Sequence, residues 1–220
     1  RLTKAAVTAG DIQEIDGRAT LYFEDPEGQR LALIDDGGKG EAHPWEKSSV
    51  PAEHQIRGLG PIVMTVPELR STDLVLTHVM NMKPVRDYAH PESKGDGIHV
   101  YQMVGEGPGA ELHVAVRPNL APAQPGAGGV HHVAFRSPDA DYEAWAARLK
   151  EMRIPNSGKV DRYWFNSLYF REPNGILFEI ATDGPGFAVD EPLDKLGETL
   201  VLPPFLEDQR KEIEAGLKVL

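Results

Sequence analysis

Leu168-Tyr169-Phe170-Arg171-Glu172-Pro173-Asn174-Gly175-Ile176-Leu177-Phe178-Glu179-Ile180-Ala181-Thr182-Asp183 reads as strand, acidic-Pro-x-Gly turn, strand. The same pattern stands near the start of the chain as Leu21-Tyr22-Phe23-Glu24-Asp25-Pro26-Glu27-Gly28-Gln29-Arg30-Leu31-Ala32-Leu33-Ile34-Asp35-Asp36. In each, Pro presets φ and Gly accepts a positive φ, so the sequence predicts a hairpin twice over. A repeated supersecondary unit decides the fold before any single residue does.

A second echo joins Gly58-Leu59-Gly60-Pro61-Ile62-Val63-Met64-Thr65-Val66-Pro67 to Gly129-Val130-His131-His132-Val133-Ala134-Phe135-Arg136-Ser137-Pro138. Both read as a strand closed by Pro and followed by a helix. After the second, Tyr142, Trp145, Leu149 and Met152 share a helical face, with Ser137-Pro138 as cap and first turn. After the first, Leu69, Leu74, Val75, His78 and Val79 form a rougher face. The repeating unit is therefore strand, helix, then three strands, which predicts an α+β fold of βαβββ modules with curled mixed sheets. The expected division is 1–36 as the back half of one module, 37–54 as a Gly/Pro/Ser-rich linker, and 55–182 as a domain of two modules (55–118 and 128–182). Residues 183–220 form a proline-punctuated strap and an amphipathic helix from about Leu206 to Leu217. The chain opens on Arg1 without Met, in what reads as a helix end, so the expectation is that further sequence precedes it.

The 220 residues carry 40% hydrophobic and 26% charged side chains, a net charge of −11 and no cysteine. That balance disfavours nucleic acid or an anionic membrane as the main partner. No apolar run reaches the roughly 20 residues that span a bilayer. Disulfides and thiolate metal sites are excluded, which fits the cytoplasm. Small-molecule chemistry is the expected business of the chain.

Two strand-length runs carry ionisable groups where a core strand would place Val or Leu: His131-His132 before Val133, and Glu179 between Phe178 and Ile180. An unpartnered buried carboxylate costs several kcal/mol. A divalent metal held by imidazole and carboxylate removes that cost, and in a curled sheet the first and last strands of a module can be neighbours. His132 also admits the reading of a satisfied core histidine. On an alternating strand His131 faces away from His132 and reads as a structural neighbour. In the repeat, His132 aligns with Pro61 and Glu179 with Ala32, so the scaffold requires neither, and the last copy reads as the armed one. Arg162, Tyr163 and Tyr169 bring a cation and phenols toward Glu179, while Trp164 and Phe165 read as core. His43, His54 and His90 fall in linker and loop. His99 and His113 alternate with apolar residues in strands and are not assigned as ligands. Gly105 to Gly109 lacks the Lys-Ser/Thr of a phosphate loop and reads as a turn.

These residues resemble the vicinal oxygen chelate superfamily (glyoxalase, bleomycin resistance protein, extradiol dioxygenase), whose βαβββ modules curl around a metal. More narrowly, Gly129 to Phe135, Asp161-Arg162, Ser167 to Asp183 and Gly186 to Leu193 resemble hydroquinone-type ring-cleaving dioxygenases. Asn166 departs from the basic residue expected there. The resemblance implies His132 and Glu179 as two of three Fe(II) ligands, with Mn(II) as the other candidate ion. It implies that His131, Arg162 and Tyr169 contact substrate or oxygen. It also implies a further His-His pair in an N-terminal module that this chain lacks. The expected activity is opening of a hydroquinone or catechol ring by O2, in a protein that can form a homo-oligomer. The alternatives are a glyoxalase-like metal isomerase or lyase, which generally uses four protein ligands, and a metal-free binding protein of the same fold.

Overall fold

Both acidic-Pro-x-Gly turns fold as tight reversals in which the acidic side chain ties its own loop. Asp25 Oδ1 accepts the amide N–H groups of Glu27 (2.9 Å) and Gln29 (2.8 Å), and its carbonyl accepts that of Gly28 (3.0 Å). Glu172 Oε1 accepts the amide of Ile176 (3.0 Å), and its carbonyl accepts that of Gly175 (2.8 Å). Gly28 (φ 84°) and Gly175 (φ 92°) sit in the left-handed region, where a Cβ is penalised. The strands so joined are β2 (Arg18–Glu24) with β3 (Arg30–Ile34), and β10 (Asn166–Arg171) with β11 (Leu177–Thr182). Their ladders pair Tyr22 with Ala32 and Tyr169 with Glu179, the correspondence the repeat predicts.

This computed structural model describes residues 2–38, 41–126 and 129–217. The module bounds expected at Arg1, Gly128 and Leu220, and Lys39 and Gly40 of the expected linker, lie outside the described residues. The chain packs as two compact units, Arg1–His131 and His132–Leu220.

In the first unit, β1 (Gln13–Ile15), β2 and β3 form a three-stranded antiparallel sheet. A βαβββ module follows: β4 (Ile62–Val66), α1 (Arg70–Leu74), β5 (Lys83–Ala89), β6 (Gly97–Gln102) and β7 (Glu111–Val116). Its sheet order is β4-β7-β6-β5, with β4 and β7 parallel and the other pairs antiparallel. In the second unit the same plan recurs as β8 (Val133–Ser137), α2 (Tyr142–Glu151), β9 (Val160–Asp161), β10 and β11, ordered β8-β11-β10-β9. Again the first and last strands are parallel neighbours. The fold is therefore α+β, built on repeated βαβββ modules with open mixed sheets.

The helices depart from the sequence pattern in detail. After β4, α1 gives way to a π-helical turn over Val75–Val79. The wider turn rotates the buried face onto Thr72, Val75, Leu76 and Val79, leaving the expected Leu74 and His78 exposed. Ser137 does not cap α2: its hydroxyl donates to the Pro138 carbonyl, and a short 3-10 turn over Asp139–Asp141 leads in. Tyr142 and Leu149 of that face are buried, but Met152 lies past the helix end and is exposed. The C-terminal segment is a 3-10 turn over Pro204–Gln209 running into α3 (Arg210–Gly216).

In the second unit, alternation along the strands sends Phe135, Leu168, Phe170, Phe178 and Ile180 into a core with Tyr142 and Leu149. Phe178 is fully buried, with ring centroids 5.0 Å from Phe135 and 5.5 Å from Phe170. Burial of each such side chain contributes about 1.5–3 kcal/mol. The opposite parity of the same strands carries Glu179, Tyr169 and Ser167, so the core positions the site.

Candidate metal centre

The ladders of the second unit place Ala134, Glu179 and Tyr169 side by side across β8, β11 and β10. Ala134 keeps that row open on the β8 side. His132 lies just before Val133 starts β8, and its imidazole Nε2 stands 2.7 Å from Glu179 Oε2. Glu179 is 3% exposed and the His132 side chain 33%. The carboxylate is thus shielded, while the imidazole that meets it is partly exposed.

The other oxygen of Glu179 is committed elsewhere. Tyr169 donates its hydroxyl to Oε1 at 2.6 Å, and the fully buried Ser167 hydroxyl donates to the same atom. Arg162 Nε–H in turn donates to the Tyr169 oxygen at 3.1 Å, with its guanidinium carbon 5.1 Å from the ring centroid. The His132 and Tyr169 rings meet edge to face at 6.0 Å. An ionised carboxylate accepts only, so three donors converge on Glu179 and compensate its burial. Nε2 and Oε2 form a nitrogen–oxygen pair facing each other, the donor chemistry that borderline divalent ions take. Ligation through Nε2 requires that nitrogen bare, with the imidazole proton on Nδ1.

The structure therefore brings together His132, Glu179, Tyr169 and Arg162 of the predicted set. His131 is exposed at the end of the first unit. Ser167 joins them without any mark of its own in the sequence. Parity was the available signal, since two residues before Tyr169 a strand returns to the same face. Trp164 and Phe165 are not core. They occupy the β9–β10 connection at intermediate exposure and meet Phe187 of the strap, with centroids 6.2 Å and 6.1 Å away. The connection between β6 and β7 that includes Gly105 to Gly109 bends over 104–107 and then forms a 3-10 helix over Pro108–Ala110 where the sequence predicts a simple hairpin turn.

His113 needs the larger revision. The register Ile62↔Leu112 in β4–β7 matches Val133↔Phe178 in β8–β11, so His113 occupies in the first module the place of Glu179 in the second. The last copy is not alone in carrying a ligand-type residue there. His113 is 5% exposed, with Nε2 3.2 Å from Glu111 Oε2 and Nδ1 2.9 Å from the Tyr88 hydroxyl. Burial outweighs the pull of Glu111 and lowers its pKa below the ordinary imidazole value. Burial would raise Glu111, but hydrogen bonds from Arg86 and His113 hold that carboxyl below its usual range. The neutral ring thus donates from Nε2 to Glu111 and accepts the Tyr88 proton at Nδ1.

Repeated βαβββ modules, the second with a histidine and a buried glutamate facing each other where its first and last strands run side by side, define the class of fold. The chain belongs to the Glyoxalase/Bleomycin resistance protein/Dioxygenase superfamily, whose family model matches residues 58–180. Over 221 residues it is 47% identical to the "Putative ring-cleaving dioxygenase MhqA" of Bacillus subtilis, covering 99% of this chain and 69% of the relative. It is 31% identical over 222 residues to the "Chlorohydroquinone/hydroquinone 1,2-dioxygenase" of Sphingobium indicum, covering 96% of this chain and 65% of the relative. A crystal structure of a "putative dioxygenase" from Bacillus subtilis superposes with a TM-score of 0.86 at 33% identity, covering 99% of this chain and 67% of that one. The chain thus spans about two thirds of the length of these relatives.

Proposed function

We propose that this chain carries two of the metal ligands of a non-haem, Fe(II)-dependent, extradiol-type dioxygenase. The protein opens hydroquinone- or catechol-like rings with O2. The observation that carries the reading is the His132 Nε2–Glu179 Oε2 contact at 2.7 Å, on a carboxylate whose other oxygen is held by Tyr169 and Ser167. The similarity to ring-cleaving relatives supports the reaction class. His132 and Glu179 would hold the cation, with Mn(II) the other candidate. Iron(II), when bound by two histidines and a carboxylate, supplies open positions for substrate and O2. Tyr169 keeps its proton on Glu179 Oε1 and exchanges it with a ring hydroxyl, while Arg162 stabilises anionic oxygen beside the Tyr169 hydroxyl. His131 serves as a further proton carrier. Along the chain, 1–36 forms the back half of a module, 37–54 a linker, 55–182 two modules and 183–220 the strap and helix. The net charge of −11 and absence of cysteine support a cytoplasmic protein serving small molecules, able to form a homo-oligomer. No helix among the described residues is long and apolar enough to cross a membrane.

The test mixes the intact gene product anaerobically with Fe(II) and a series of dihydroxybenzenes, then admits O2. A ring-opened chromophore with matching oxygen uptake is expected, abolished by His132→Ala. Absence of oxygen uptake with every dihydroxybenzene overturns the proposal, and turnover of a hemithioacetal instead moves the protein to the lyases.

A further inference from the structure

The first unit contains a cluster that the proposed dioxygenase chemistry does not use. Among the described residues, the ligand atoms of Asp16, Glu111 and His113 lie within 4.8 Å of one another. Asp16 comes from the β1–β2 turn at φ 50°, and Glu111 and His113 share a face of β7. Two carboxylates and an imidazole are a ligand set for borderline divalent ions. His113 stands at the ladder position of Glu179, and the pairing of imidazole Nε2 with a glutamate Oε2 recurs, at 3.2 Å here and 2.7 Å in the second unit.

Arg86, on β5, already serves as the cation. Its Nε–H donates to Asp16 Oδ1 (3.0 Å) and Oδ2 (2.9 Å), Nη1 to Glu111 Oε1 (2.9 Å), and Nη2 to Glu111 Oε2 (2.8 Å) and to Asp16 Oδ2. Every oxygen of both carboxylates is engaged by one planar fork. Arg18 adds a second positive charge 3.8 Å from Glu111 Oε1. Two acids face two arginines, and the imidazole is neutral, so the cluster is balanced with no ion in it.

We infer that Asp16, Glu111 and His113 form a divalent-cation site that the chain keeps filled with its own guanidinium, and that removing Arg86 opens it to a metal ion. Losing the fork leaves two facing carboxylates with Arg18 alone against them, and a dication restores the balance through the same oxygens and the His113 nitrogen. The site is separate from the His132–Glu179 pair and does not depend on the dioxygenase reading.

The test titrates Co(II) into the full chain, read by visible absorption and calorimetry, in a His132→Ala background that silences the second unit. Arg86→Met keeps the apolar stem and removes the charge. The double variant should bind one Co(II) roughly 100-fold more tightly than His132→Ala alone. Adding His113→Ala should erase the gain, and Arg86→Lys, a point charge in the same place, should bind no better than the background. A folded double variant with no gain overturns the proposal. So does one-to-one binding by His132→Ala alone that His113→Ala abolishes, because Arg86 would then not be holding the place. If the double variant unfolds without metal, recovery of its circular dichroism on adding Co(II) supports the site, and failure to recover at saturating Co(II) overturns it.

Discussion

Ser167→Ala tests whether Glu179 is held as a buried carboxylate. Ser167 is fully buried, and its hydroxyl is one of three donors on a carboxylate that is 3% exposed. A hydrogen bond to a charged acceptor contributes about 1.5–3 kcal/mol, and alanine offers Oε1 nothing in return. Tyr169 still serves that atom, so the expected loss is about 2 kcal/mol. For a chain of this length melting as one, that lowers Tm by about 4–8 °C. Tyr169→Phe removes a less buried donor and should cost about 1 kcal/mol. The double variant leaves Oε1 with neither hydroxyl and should lose more than the sum of the two. The assay is thermal unfolding by calorimetry with chelator present at pH 7. A Ser167→Ala protein melting within about 1 °C of the parent, or strict additivity in the double variant, refutes the view that paired hydroxyls sustain the Glu179 charge.

The remaining expectations concern both units. His132→Ala should weaken Fe(II) or Mn(II) binding at the second-unit site by about 100-fold or more, measured by calorimetry in the Arg86-containing protein. Acid should destabilise the first unit in two steps. His113 is lowered in the fold, so the unfolded chain binds more protons as pH falls below about 6.5, and the lowered Glu111 repeats this below about 4.3. His113→Gln should flatten the upper step, whose slope is at most about 1.4 kcal/mol per pH unit, in denaturant titrations between pH 7 and 5. Gly175→Ala places a Cβ at φ 92° in a turn with open space around it, so strain alone should cost about 1–2 kcal/mol, and Gly28→Ala at φ 84° should match it. Chemical denaturation of both variants checks the pair.

The hairpins were readable because their turn chemistry is local: Pro, Gly and an acidic staple sit within a few residues of one another. Glu179 was readable because a carboxylate between Phe178 and Ile180 has no cheap apolar explanation. Ser167 was not, since a serine in a strand raises no alarm until its neighbour across the ladder is known. His113 is hidden for a related reason. The repeat compares Glu179 with Ala32 through the hairpins, and the loop between β6 and β7 breaks that motif in the middle module, so only the parallel register restores the alignment. Arg86 and Asp16 are farther apart in sequence still, and nothing in either local pattern predicts that they meet. The π-helical turn after α1 was equally hidden, because a widened turn leaves no mark on composition.

Buried carboxylates by themselves do not say where a metal goes; the charges around them do. Glu111 is 9% exposed and faces the Arg86 fork at 2.8–2.9 Å, with Arg18 behind it, so its charge is answered by fixed cations. Glu179 is more deeply buried, yet two of its three partners are neutral hydroxyls and the third is an imidazole. Among the described residues its ion-pair partner is His132, and the nearby Arg162 spends its Nε–H on the Tyr169 oxygen. Hydroxyl donors compensate desolvation without cancelling charge, whereas a bidentate guanidinium does both. The same ladder position therefore leads to opposite ends: in the first unit a cation would have to displace an arginine, and in the second it would meet an uncancelled carboxylate with an imidazole nitrogen already beside it. That asymmetry, rather than the count of ligand-type residues, is why the proposed cation site is placed at His132 and Glu179 and not at Glu111 and His113 in the unaltered chain.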